Sequence, residues 1–210
     1  MKRAALVRHF PNEEEKGDEG GLTVRGQEQG RELVRQLVAA GIIPDLILHS
    51  PLLRAKQTAE LIVAEYVIAG HVMVRVPVRR SNHLRTQPAK KISNSVLADP
   101  ENMPLAALAN QFRYAADDFS ESPEGNIGFA LEQLDQSGAD YKNIMLISHK
   151  PEILAAVEHL VFTREKDFQH GQAAVFTSTR EGSWGEFYSP EWRLARRRSD
   201  FFSQFMPAFT

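Results

Sequence analysis

Ala4-Ala5-Leu6-Val7-Arg8-His9 is the stretch on which the reading of this chain turns. An unbroken apolar run bounded by polar residues reads as a short buried strand, and this one delivers an Arg-His pair at its carboxyl end. Such a dipeptide alone is usually a surface arginine beside an incidental histidine. Two further segments repeat the arrangement. Leu46-Ile47-Leu48 leads into Ser50-Pro51-Leu52-Leu53-Arg54-Ala55-Lys56-Gln57-Thr58-Ala59, and Ile144-Met145-Leu146-Ile147 leads into Ser148-His149-Lys150-Pro151. Each opens a helical pattern, so three strand-to-helix junctions offer Arg or His at the same kind of place. Open α/β sheets bind ligands in the crevice outside the carboxyl ends of their strands. Arginine forks and helix N-termini both suit phosphate. The pattern implies a phosphate-handling site.

The rest of the chain supplies helices and strands in alternation. Thr23 is a suitable N-cap, followed by Leu33, Val34, Leu37 and Val38 at helical spacing and by Gly41 as a stop. A second helix is expected over residues 53–67 and a strand over 72–76. Between residues 77 and 122 the pattern loosens; short helices over 89–97 and 105–114 would belong to an insertion covering the site. Pro123 can open a helix carrying Ile127, Ala130, Leu131 and Leu134, ended by Gly138, and Pro151 suits the first turn of another with Ile153, Ala156, Val157 and Leu160. Residues 173–178 and 185–188 read as a closing hairpin. This succession predicts a three-layer α/β/α sandwich around a largely parallel sheet.

The chain has 210 residues, 42% of them hydrophobic and 25% charged, which suits one globular domain with a full core. A net charge of −2 gives no bias toward nucleic acid. No apolar window reaches a membrane span, and the apolar run after Met1-Lys2-Arg3 is too short for a signal peptide. With no cysteine, disulfides, thiolate metal sites and thiol nucleophiles are excluded together, which fits a cytoplasmic protein. The seven histidines show no metal-binding spacing, and His49, His71, His83, His159 and His170 are scattered. Neither a metal nor a cofactor is expected.

Taken together, the junctions resemble the histidine phosphatase superfamily, whose fold is named after phosphoglycerate mutase. The likeness is greatest to its SixA-like phosphohistidine phosphatases. Arg8-His9 matches the Arg-His signature, with Phe10 where Gly or Ala is more usual. Leu22-Thr23-Val24-Arg25-Gly26 is similar to the family's Leu-Thr-x-x-Gly helix start. Residues 50–58 match its Ser-Pro-x-x-Arg-Ala-x-Gln-Thr element, and residues 147–151 its second-histidine element. The resemblance implies that His9 is a nucleophile forming a phosphohistidine, that Arg8 and Arg54 grip phosphoryl oxygens, and that His149 donates to the transferred group. It also implies a phosphorylated protein or a small phosphorylated molecule as partner.

At one point the chain departs from many relatives. They carry a Glu or Asp general acid after the third strand, whereas residues 77–98 contain none and include Arg79, Arg80, His83, Arg85, Lys90 and Lys91. Arg80 and His83 are expected at the substrate, with His83 or the more distant Asp99 as substitute donors. An alkoxide leaving group needs protonation, whereas a departing imidazole, with a conjugate-acid pKa of about 6.5, needs much less. The missing acid favours phosphohistidine on a protein. A small-molecule phosphomonoesterase and a catalytically silent scaffold for a phosphorylated partner are the alternatives.

No family element covers the tail from Pro190. A domain over residues 1–189 is expected, followed by a basic and aromatic tail, 190–210, with Arg193, Arg196, Arg197, Arg198, Phe201, Phe202, Phe205 and Phe209. Its aromatic spacing suits a helix packed on the domain, at a homodimer interface or on a membrane surface.

Overall fold

Six strands and four helices alternate along the chain of the computed structural model, which describes residues 1–71, 76–85, 127–138, 140–161, 168–179, 183–184, 187 and 192–196. The strands are β1 (Arg3–Arg8), β2 (Leu46–His49), β3 (Val78–Arg80), β4 (Asn143–Ser148), β5 (Ala173–Ser178) and β6 (Trp192–Arg196). The helices are α1 (Val24–Ala39), α2 (Leu53–Ile68), α3 (Ile127–Gln136) and α4 (Lys150–Val161), with 3-10 segments at Glu14–Glu19 and Asn82–Leu84. Sheet order is β3-β2-β4-β1-β5-β6. The first four strands run parallel, and β5 lies antiparallel to both β1 and β6.

β1, β2 and β4 are apolar on both faces because both faces are covered, the usual condition of a parallel sheet. Ala4, Leu6, Leu46, Leu48, Ile144 and Leu146 join one core cluster with Ile127, Leu131 and Leu134 of α3 and Ile153 and Val157 of α4. The alternate residues Ala5, Val7, Ile47, Met145 and Ile147 pack on the other side against Leu33 and Leu37 of α1 and Ala55, Ile62 and Tyr66 of α2. The three layers follow from this two-residue alternation. Thr23 caps α1 as expected, its side chain accepting from Gly26 N at 3.1 Å.

The structure adds strands that the sequence reading did not place. The strand beside β2 is Val78–Arg80, and most of the 72–76 segment lies outside the described residues. That strand is short, fully exposed and carries two arginines, so it has no apolar signature to read. β5 pairs with Trp192–Arg196, with a register shift at Val175/Phe176, and most of the 185–188 segment lies outside the described residues. The sheet continues past residue 190, with Trp192–Arg196 as its edge strand. The helices expected over 89–97 and 105–114 fall outside the described residues, as does the tail beyond 196.

Phe10 is fully buried. A Cβ added at Gly30 of α1 would stand 2.9 Å from Phe10 Cε2, and one at Gly171 would stand 2.9 Å from Phe10 Cδ1. The ring therefore fills space that two glycines leave open. Phe10→Ala should destabilise the protein by about 3–5 kcal/mol through the cavity it creates, measured as a shift in the urea midpoint. A shift corresponding to less than about 1 kcal/mol would show that α1 and the Gly171 turn collapse onto the gap.

Candidate active site

The site begins with backbone register. In the parallel pairing of β1 with β4, Arg8 lies opposite Ser148. The ladder continues beyond the strands: His9 N donates to Ser148 O at 3.1 Å, and Ser50 N donates to Ile147 O at 2.9 Å. His9, Ser50 and His149 are thus delivered to one level at the sheet edge. The imidazole centroids of His9 and His149 stand 5.0 Å apart. Ser50 Oγ lies 2.8 Å from His149 Nε2 and fixes that ring. α4 starts at Lys150, so His149 sits at the helix N-terminus as expected.

The residues around Arg54 tie the neighbouring loop to the same frame. Phe10 N donates to Thr58 Oγ1 at 3.1 Å, the Thr58 hydroxyl donates to Arg54 O at 2.8 Å, and Leu22 N donates to Gln57 Oε1 at 2.7 Å. Gln57 and Thr58 therefore hold the segment after β1 against α2. The 3-10 segment brings Gly17 and Asp18 over the same place, where Arg54 Nη1 donates to Gly17 O at 3.3 Å and to Asp18 Oδ1 at 3.4 Å. Arg8, His9, Asn12, Gly17, Asp18, Arg54 and His170 line a cleft of about 270 Å³.

His9 and His149 are both held neutral. His9 Nδ1 lies 3.0 Å from Phe10 O, and a carbonyl only accepts, so the proton is on Nδ1 and Nε2 keeps its lone pair. Burial lowers the His9 pKa to about 2, against the Phe10 hydrogen bond, with the positive charge of Arg54 adding to the lowering. Burial likewise takes His149 to about 3, helped by the positive charges of Arg54 and Arg8. The positive charge lining the site comes from the two guanidinium groups. A doubly charged phosphoryl group would cancel their field and raise both histidines.

The structure brings Arg8, His9, Arg54 and His149 together. Arg80 and His83 line another cavity, of about 400 Å³, with Leu48, Gln133 and Ser137. His83 stacks on Phe129 at 6.1 Å. Arg80 ends β3 and His83 follows it, at the sheet margin beside α3. His170 is the residue that sequence reading missed, its ring 4.9 Å from that of His9. β5 runs antiparallel, so the residues before it arrive at the edge where β1 ends. Among the described residues no group of three His, Asp or Glu side chains could hold a metal ion. No described helix is long and apolar enough to cross a membrane.

The depressed histidines make stability depend on pH. Their folded pKa values lie below the ordinary 6.5, so the unfolded chain binds more protons between about pH 3 and 6.5. Their contribution to stability is complete above pH 6.5 and falls as pH drops through that window. Melting temperatures measured from pH 7 to 4 should decline, and the decline should be shallower in a His9→Gln/His149→Gln variant. An equally steep decline in the double variant would overturn this account.

A model of the histidine phosphatase superfamily (branch 1) matches residues 5–85, from β1 through the 3-10 turn after β3. No curated protein matches the chain by sequence. The fold is similar to that of the protein histidine phosphatase SixA complexed with tungstate, at 17% identity and a TM-score of 0.52 over 84% of this chain and 88% of that one. It is similar to the α-ribazole phosphatase of Shigella flexneri at 20% identity and a TM-score of 0.55, covering 93% and 96% of the two chains. The phosphoserine phosphatase of Entamoeba histolytica, in complex with 3-phosphoglyceric acid, aligns at 18% identity and a TM-score of 0.53 over 87% and 93%. The match spans the strand of Arg8-His9 and the helix of Arg54, and over residues 5–85 the chain is similar to the histidine phosphatase superfamily, inside a mostly parallel sheet of phosphoglycerate mutase-like form.

Proposed function

We propose that this phosphatase acts through a phosphohistidine on His9 and prefers phosphoryl donors whose leaving group needs no protonation, phosphohistidine of a protein first among them. The observation that carries the reading is the composition of the cleft. Among its described lining residues Asp18 is the one carboxylate. Its side chain is 65% exposed and its Oδ1 accepts from Arg54. His83, the nearer substitute donor, lines the other cavity.

The residues then divide the chemistry among themselves. The Nε2 lone pair of His9 attacks phosphorus as the bond to the leaving group breaks, and the leaving group keeps that electron pair. A phosphorylated imidazole that carries a proton on its other ring nitrogen departs as neutral imidazole, with no donor required. Arg8 and Arg54 grip the equatorial oxygens, and His149 donates to them as their charge grows. The Phe10 carbonyl, accepting from Nδ1, stabilises the positive charge left on the phosphorylated His9 ring. Water then attacks phosphorus, releasing inorganic phosphate and restoring the neutral ring. Two guanidinium groups match the charge of the phosphoryl dianion, so no metal is needed.

Turnover of a phosphohistidine protein should exceed that of phosphoserine, α-ribazole phosphate and alkyl phosphates, with aryl phosphates between. Efficient hydrolysis of alkyl phosphates alone would favour a small-molecule phosphomonoesterase, and no turnover of any of them a silent scaffold. Arg8→Ala, Arg54→Ala and His149→Ala should each lower turnover at least about 10²-fold. Labelled phosphate trapped in alkali should vanish in His9→Ala, and label persisting at the wild-type level would remove His9 as nucleophile. Chelation should leave the rate unchanged.

A further inference from the structure

We propose that His170 is a positioning residue of the phosphate site, acting through Arg8. The proposal rests on the phosphatase reading of the cleft and adds to it a residue that the Arg-His strand and the Arg54 helix do not supply. Arg8 Nη2 stands 2.9 Å from His170 Nε2, and Arg8 Nη1 donates to Phe168 O. Arginine has only donors to offer. His170 Nε2 must therefore accept, which leaves the ring proton on Nδ1 and the imidazole uncharged beside the guanidinium. Two acceptors from one short segment thus set the plane of the Arg8 fork, and a fork grips phosphoryl oxygens well only in a fixed plane.

That segment is itself clamped to the end of β1. Gly171 N donates to Arg8 O at 3.2 Å and to His9 O at 3.3 Å, and Arg8 N donates to Gln172 O at 3.1 Å. Gly171 takes φ +72°, and a Cβ there would run into Phe10. This is a left-handed position suited to glycine. The turn can hold His170 against Arg8 because Phe10 and Gly171 fit each other. The unusual Phe10 and His170 are in this sense parts of one device. The His170 ring also forms a wall of the cleft, 4.9 Å from His9.

The test uses orthovanadate, whose trigonal bipyramid mimics the transferring phosphoryl group, with wild type, His170→Phe and His170→Gln. Phe keeps a ring of similar size and removes the acceptor; Gln restores an acceptor oxygen. His170→Phe should weaken orthovanadate binding and lower kcat/KM by about 10- to 100-fold, the size of a lost hydrogen bond to a charged group. Inorganic phosphate binding should change less, and the melting temperature little. His170→Gln should recover most of the loss. In nitrogen NMR of the wild type, His170 Nε2 should resonate as unprotonated and Nδ1 as protonated. Equal orthovanadate binding by wild type and His170→Phe, or the opposite tautomer, would overturn the role of His170 and leave the phosphatase reading intact. A wild type that neither binds orthovanadate nor turns over any phosphoryl donor would overturn the phosphatase reading, and with it the role assigned to His170.

Discussion

His9 N donates to Ser148 O one rung past the last paired residues of β1 and β4, and the relation of the two imidazoles follows from that bond. Strands that pair in parallel end at a common edge. Whatever follows them is therefore set side by side at spacings fixed by the backbone. Ser50, held to Ile147 by the next rung, brings its hydroxyl to His149. A slip of one residue in this register would turn every strand side chain to the opposite core and separate the rings at the same time. Packing and chemistry are secured by one constraint.

Burial of the two rings sets their electrical state. Desolvation outweighs the Phe10 hydrogen bond at His9, and it works in the same direction as Arg54 and Arg8 at His149. Burial thus keeps both rings unprotonated, with Arg54 adding to it at His9 and Arg54 and Arg8 at His149. A site in which every histidine was cationic would bind an oxyanion more tightly and attack it far less readily. The loop bearing Asp18 tempers the positive field at the mouth without entering the buried part of the site.

Much of this was legible in the sequence, and the reason is physical. β1, β2 and β4 are central and buried on both faces, so they appear as unbroken apolar runs whose last residues announce the site. Arg8, His9, Arg54 and His149 could be found because each follows such a run. β3 could not, since Val78-Arg79-Arg80 is an exposed strand with nothing to bury. β6 could not either, since Trp192-Arg193-Leu194-Ala195-Arg196 breaks its apolar residues with arginines. Arg80 and His83 have the right chemistry, but no local pattern tells which cavity a residue at the sheet margin will face. His170 was hidden because it precedes its strand. Only the antiparallel direction of β5 brings it to the edge where the others follow theirs.

That reversal of direction also bears on the making of the protein. The cleft draws on residues near 8, 54, 149 and 170, and β5 pairs with β1 across almost the whole intervening chain. During synthesis the first Arg-His pair emerges long before the strand that completes its surroundings. Pairings so distant in sequence form late because the closure of a long loop precedes any gain from the contact. A nascent chain ending before Phe168 carries His9 but lacks the Phe168 carbonyl and the His170 ring that meet the Arg8 fork. Catalytic competence is in this way tied to completion of the sheet, and the newborn chain passes through most of its synthesis without a formed cage for phosphate.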